Sequence, residues 1–237
     1  MGDKKAIVKD LLQFASKEKA EFLPRFFKTG KGDYGEGDRF HGIVVPDQRK
    51  VAKQHTSTTN KETIVELLHS PFHEERLTGV IILCNKFNEA KKTGKEKEWY
   101  DLYLKMGERI NNWDLVDISA HIVVGQYLED KDRSILYKLA TDKSLWKNRI
   151  AVVATWHYIR RQKDLTDILQ LSEIMLTHQH DLMHKATGWM LREGWKKDAK
   201  KIEKFLDQYA TQMPRTMLRY AIEKMDEPKR KGYLNLR

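Results

Sequence analysis

The densest group of chemically useful side chains lies in Trp113-Asp114-Leu115-Val116-Asp117. On a helix, Trp113 and Asp117 are one turn apart and share a face. Asp114 suits the first helical turn, where an acid complements the macrodipole. Asp117 lies between Val116 and Ile118 and is either a plain surface residue or a deliberate site. An acid beside a tryptophan on an otherwise apolar helix is a candidate site of the second kind. Arg149, in Trp146-Lys147-Asn148-Arg149, opens a strongly apolar helix. A cation there opposes the dipole and reads better as a contact for an anion. Gly188 directly precedes Trp189 in a helical pattern, at a cost of about 1 kcal/mol relative to alanine. That implies close packing or close approach by a ligand, and leaves Trp189 as either core or contact.

Other patterns carry less. Gly30-Lys31-Gly32-Asp33-Tyr34-Gly35 matches the dinucleotide-binding spacing, but such a site needs a preceding strand and a helix opening on the last glycine. A Phe-rich helix precedes it instead, and Asp33, Glu36 and Asp38 would repel a phosphate. His69 and His73, and again His180 and His184, have the spacing of two ligands on one helical face. Pro71 interrupts the first pair and neither has a site-forming carboxylate or cysteine nearby, so no metal and no cofactor is expected. Cys84 sits in an apolar run and reads as a small core residue.

The elements that must position these residues are helices. Asn60 is a good N-cap for Ile64, Leu67 and Leu68, and Leu77, Val80, Ile81, Cys84 and Phe87 line one face of the next helix. The period recurs through Leu115, Ile118 and Ile122, through Ile135, Leu136 and Leu139, and on to Ile168 and Ser172. No run of period-two alternation lasts a whole strand, so the fold class is all-α. Short amphipathic helices in series fit a helical-repeat array or, equally on periodicity, a compact bundle. One domain over 1–237 is expected, with an irregular Gly-rich loop over 29–41 and a flexible basic tail over 228–237.

The chain has 237 residues, with 44 Lys and Arg against 34 Asp and Glu and a net charge of +10. Six Trp, eight Phe and nine Tyr exclude disorder, and a single cysteine excludes an internal disulfide framework. No apolar stretch is long enough to span a bilayer, and no leader is evident, so a soluble cytoplasmic protein is expected. The surplus points to a polyanionic partner. It is concentrated at the ends: residues 1–55 carry +4, residues 196–237 carry +6, and 56–195 are neutral.

Taken together, Gly42-Ile43-Val44-Val45-Pro46-Asp47-Gln48-Arg49, Asn112-Trp113-Asp114-Leu115-Val116-Asp117, Leu145-Trp146-Lys147-Asn148-Arg149 and Lys185-Ala186-Thr187-Gly188-Trp189-Met190-Leu191-Arg192-Glu193 resemble the AlkD-type DNA alkylation-repair proteins. These are alkylpurine DNA glycosylases of the HEAT-like repeat superfamily. The resemblance covers most of the chain, and it favours the repeat array: a curved α-solenoid of antiparallel HEAT-like repeats with a concave DNA-binding face. It implies that Asp117, Trp113 and Trp189 act at the lesion and that Arg149 and Arg192 contact the DNA backbone. Phe26 stands where the family has a tyrosine near the lesion, so a hydroxyl is missing there. The implied partner is duplex DNA bearing cationic N3- or N7-alkylated purines, and the implied reaction is hydrolysis of the N-glycosidic bond without base flipping, by a monomer. The rivals are a non-catalytic DNA-binding repeat protein and a protein-interaction scaffold.

Overall fold

The computed structural model describes residues 3–236, which are helical with no β-strand among them. They fall into two compact units, Met1–Ser119 and Ala120–Arg237. None of the described helices is long and apolar enough to cross a membrane.

The first unit contains α1 (Lys4–Leu12), α2 (Lys17–Phe22), α3 (Pro24–Phe27), α4 (Val45–His55), α5 (Lys61–Leu68), α6 (His73–Lys91), α7 (Lys97–Lys105) and α8 (Trp113–Ala120) up to Ser119. Helix α1 packs on α4 and α5, and α6 packs on α4, α5 and α7. Two rows result, α1 with α5 and α4 with α6, which is the layered order of an α-solenoid. The start of α5 follows the sequence signal, with Asn60 accepting from the Thr63 N–H at 2.9 Å. Helix α6 is buried on almost every side, from His73 through Cys84 to Phe87, and forms the axis of the unit. Burial pushes the Cys84 thiol up to about 12, so it packs as an inert apolar group.

The second unit opens with a π-helical segment, His121–Gly125, followed by α9 (Ser134–Ala140), α10 (Leu145–Ala154), α11 (Trp156–Arg161), α12 (Thr166–Met175), α13 (Asp181–Trp195), α14 (Ala199–Tyr209), α15 (Arg215–Ala221) and α16 (Glu227–Asn235). Here α10, α13 and α15 form one row and α9 and α12 the other. The contact of α13 with α15 explains Gly188. A Cβ there would lie 2.4 Å from the Met217 carbonyl oxygen and 2.5 Å from the Tyr220 Cβ. Close packing, one of the two readings of this glycine, is therefore its structural role.

Two expectations differ from the structure. Residues 227–235 of the basic tail are helical. Asp226 caps α16 by accepting from the Lys229 N–H at 2.9 Å, and the buried Tyr233 donates to Asp207 at 2.8 Å. The aromatic anchor outweighs the charge that made the segment read as loose. The apolar period also placed Ile118 and Ile122 in the core, yet both are half-buried while Val116, Val123 and Val124 are buried. Ile122 lies in the π segment, which takes more residues per turn than an α-helix and shifts the buried face from there on.

Candidate functional site

Trp113 and Asp117 lie one turn apart on α8, both half-buried, as the spacing predicts. Helix α8 is held at three points within the first unit. Asn112, fully buried, accepts from the Trp113 N–H at 2.8 Å. Tyr103 on α7 meets Ser119 at 2.7 Å, and Ser119 donates to the Leu115 carbonyl at 2.6 Å. Burial, countered by that hydrogen bond and reinforced by the charges of Cys84 and Asp117, raises the Tyr103 phenol above its ordinary value.

The third anchor is a buried charge chain that the sequence reading did not single out. His73, at the start of α6, reaches Asp114 through Nε2 at 2.8 Å and Asp38 through Nδ1 at 3.2 Å. Asp38 also accepts two bonds of 2.7 Å from Arg76. Burial alone would depress the imidazole, but the charge of Asp114 and hydrogen bonds to Asp114 and Asp38 outweigh it and raise His73 to about 9. Protonated, it donates from both ring nitrogens, as the two carboxylates require. Asp38, disfavoured as an anion by burial, is held below its usual range by His73 and Arg76. The Asp38 charge that argued against a dinucleotide site thus ties the Gly-rich loop beneath α8.

The same loop is bound to α6 a second time. Buried Glu74 accepts from the N–H groups of His41, Gly42 and Ile43 at 3.0, 2.9 and 3.2 Å. Gly42, at φ +79, presses so closely on Ser16 that a Cβ would sit 2.0 Å from its carbonyl oxygen. The loop delivers Phe40 to a stack with Phe27 and His73, and Phe27 lies 5.5 Å from Trp113 at an interplanar angle of 16°. The aromatic beside Trp113 is therefore Phe27. Phe26, which the resemblance puts near the lesion, is 55% exposed and packs edge-on against Phe22. The short α3 turns its adjacent phenylalanines in different directions, which periodicity cannot resolve over four residues.

In the second unit, Trp189 on α13 is half-buried and lies 5.1 Å from Trp156, which in turn lies 4.7 Å from His121. Arg160, one turn from Trp156 on α11, places its guanidinium 5.0 Å from that ring. Trp156 and Arg160 share the i, i+4 spacing that flagged Trp113 and Asp117, so this signal was present in the sequence.

Arg149 and Arg192 do not stand open to solvent. Arg149 is 4% exposed and donates to the Leu182 carbonyl at 2.6 Å, which ties α10 to the first turn of α13. Arg192 pairs with Glu223 and lies 3.4 Å from Glu193. The guanidinium that the helix dipole marks for an anion is thus already engaged by a carbonyl of the neighbouring helix. Two of the histidines with metal-like spacing have local partners. His69 donates to the Val65 carbonyl at 2.8 Å and His180 caps α13 by accepting from the Leu182 N–H at 3.1 Å.

This architecture matches a known family. The model of the DNA alkylation repair enzyme family fits residues 7–225, and the chain belongs to that family. A solved structure described as a predicted DNA alkylation repair enzyme from Enterococcus faecalis shares the fold, with a TM-score of 0.68 over 91% of this chain and 99% of that one, at 15% sequence identity. Comparison with curated proteins finds no match.

Proposed function

We propose that this protein is a DNA glycosylase that hydrolyses the N-glycosidic bond of cationic N3- or N7-alkylated purines in duplex DNA. The observation that carries the reading is the pair Trp113 and Asp117 on one face of α8, with Trp113 seated on Phe27 and α8 pinned by the Asp38–His73–Asp114 chain. Family membership supplies the class of reaction, repair of alkylated DNA.

The residue types suit a substrate that is already cationic. Alkylation at N3 or N7 makes the purine a good leaving group without protonation, so no general acid is needed. The remaining task is to stabilise positive charge developing on the deoxyribose and to supply a water. Asp117 performs both, electrostatically and as the acceptor that orients the water. Trp113 and Trp189 offer flat faces to the cationic base or the adjacent sugar, with cation–π contacts of about 0.5–2 kcal/mol. The resemblance to the AlkD-type proteins carries the further reading that the modified base stays in the stack, where the usual glycosylase extrudes it.

Arg149 and Arg192 enter this reading as residues at the DNA backbone. Their bonds to Leu182 and Glu223 give them a positioning role as well, and Arg192 reaches a phosphate by exchanging one anion for another. Phe26, exposed, offers an apolar face where a tyrosine would offer a hydroxyl. The protein acts as a cytoplasmic monomer in this account, with no metal or cofactor.

The test is incubation with methylated duplex DNA and chromatography of free bases. Release of 3-methyladenine or 7-methylguanine is the expected result. Asp117→Asn should lower single-turnover release by about 10²–10³-fold while DNA binding persists. Binding without release by the wild type would make the protein a non-catalytic DNA-binding member of the family. Neither binding nor release would favour a protein-interaction scaffold.

A further inference from the structure

The arginines marked by sequence are paired internally, and so is the buried Arg76. A different set of cations is not. Helices α4 and α6 border a recess of about 400 Å³ within the first unit, lined by Arg49 and Lys53 of α4 with its C-cap Thr56, and by Ile81, Asn85, Asn88 and Glu89 of α6 with its C-cap Lys92. Arg49, Lys53 and Thr56 are spaced i, i+4, i+7, and Ile81, Asn85, Asn88 and Lys92 are spaced i, i+4, i+7, i+11, so each set forms a stripe on one helical face. Arg49, Lys53 and Lys92 are exposed and have no hydrogen-bond or ion-pair partner among the described residues.

The floor is polar and ordered. Asn85 donates to the Thr56 hydroxyl at 3.0 Å, and Thr56, itself buried, donates to the Ala52 carbonyl at 2.7 Å. This bond fixes the Asn85 amide on the wall shared by the two helices. Glu89 is the one acid in the lining, against three cations. Three positive charges facing one recess repel each other unless an anion is shared among them. Their donors, with the Asn88 amide, match the oxygens of a phosphodiester, for which Arg supplies a planar fork and Lys a point charge.

We propose that this recess between α4 and α6 holds a backbone phosphate of DNA, forming a grip separate from Trp113 and Asp117. The proposal rests on the reading of the protein as one that binds DNA. It also gives the basic N-terminal segment a local function, since Arg49 and Lys53 belong to the stretch that carries +4.

The experiment measures affinity for undamaged duplex by fluorescence anisotropy across a salt series. Variants are Arg49→Gln with Lys53→Gln, and separately Lys92→Gln, all at exposed positions. A control pair, Lys95→Gln with Lys105→Gln, removes the same charge elsewhere. Each phosphate contact contributes about 0.9 to the slope of log K against log salt. The expected result is a slope smaller by about that amount and an affinity about tenfold lower for the double variant. Lys92→Gln should move both in the same direction, and the control should leave the slope unchanged. A wild-type slope in both recess variants overturns the proposal while leaving the DNA reading intact. A wild type with no salt-dependent affinity overturns both. Inorganic phosphate forms a second arm: if it raises the thermal midpoint of the wild type but DNA slopes do not respond to the variants, the recess takes a free anion and the proposal fails.

Discussion

The two tryptophans that the proposed function needs are seated by different physics. Trp113 rests on Phe27 and on a helix whose start is tied down by buried charges, Asp38, His73, Arg76 and Asp114. Trp189 rests on Trp156, in a helix brought against α15 by the missing side chain of Gly188. A charge chain is directional and depends on protonation, and its loss leaves uncompensated charge in the interior. An aromatic and glycine contact is set by shape and does not respond to pH. The first unit therefore fixes its aromatic beside the candidate acid with a titratable device, and the second fixes its aromatic by packing alone.

That contrast can be broken most sharply at His73. His73→Ala leaves Asp114 without its cationic partner and should cost about 3–5 kcal/mol in denaturant unfolding. The pH dependence has a defined sign. Because the folded-state value of His73 is raised to about 9 from 6.5, its stabilisation is complete below pH 6.5 and is lost as pH rises toward 9. The wild type should lose up to about 3 kcal/mol across that window, and His73→Ala should lose little. His178, lowered by burial and by the neighbouring His184 and His180, titrates below the window and does not confuse the comparison. Equal pH profiles for the two proteins would show that the chain does not stabilise the first unit as described.

A smaller effect is expected in the second unit. Gly188→Ala should destabilise by about 1–3 kcal/mol despite alanine's better helix propensity, because the new methyl meets the backbone of α15. The change should be independent of pH between 6.5 and 9. A stabilised variant would mean that α13 and α15 separate easily and that packing does not hold Trp189. The smallest effect is at Arg160. Arg160→Gln removes an exposed cation–π contact with Trp156 and should cost about 0.5–1 kcal/mol or less, with a shift in tryptophan fluorescence as the more sensitive readout. Unchanged fluorescence would detach Arg160 from the Trp156 and Trp189 cluster.

Much of this molecule could be read from sequence because its strongest signals are local. Helical period, the Asn60 cap, the buried Cys84 and the shared face of Trp113 and Asp117 each depend on residues within a turn or two of one another. The tight fit at Gly188 was legible as a cost and only its cause was left open. The charge chain was not legible, because Asp38, His73 and Asp114 are separated by more than thirty residues at each step. His73 even had a misleading local reading, as one half of a metal-like pair with His69.

The arginines mark the boundary between the two kinds of information. By itself the sequence determined which residues are cationic, which helix each belongs to and which face it occupies, since these follow from residue type and a period of 3.6. Only the tertiary structure decided which cations are already used. A guanidinium near a helix start looks available until another helix brings a carbonyl to it, as Leu182 does for Arg149, whereas Arg49, Lys53 and Lys92 line a recess that offers them no such partner. Availability depends on what long-range packing places within hydrogen-bond reach, and no local spacing encodes that.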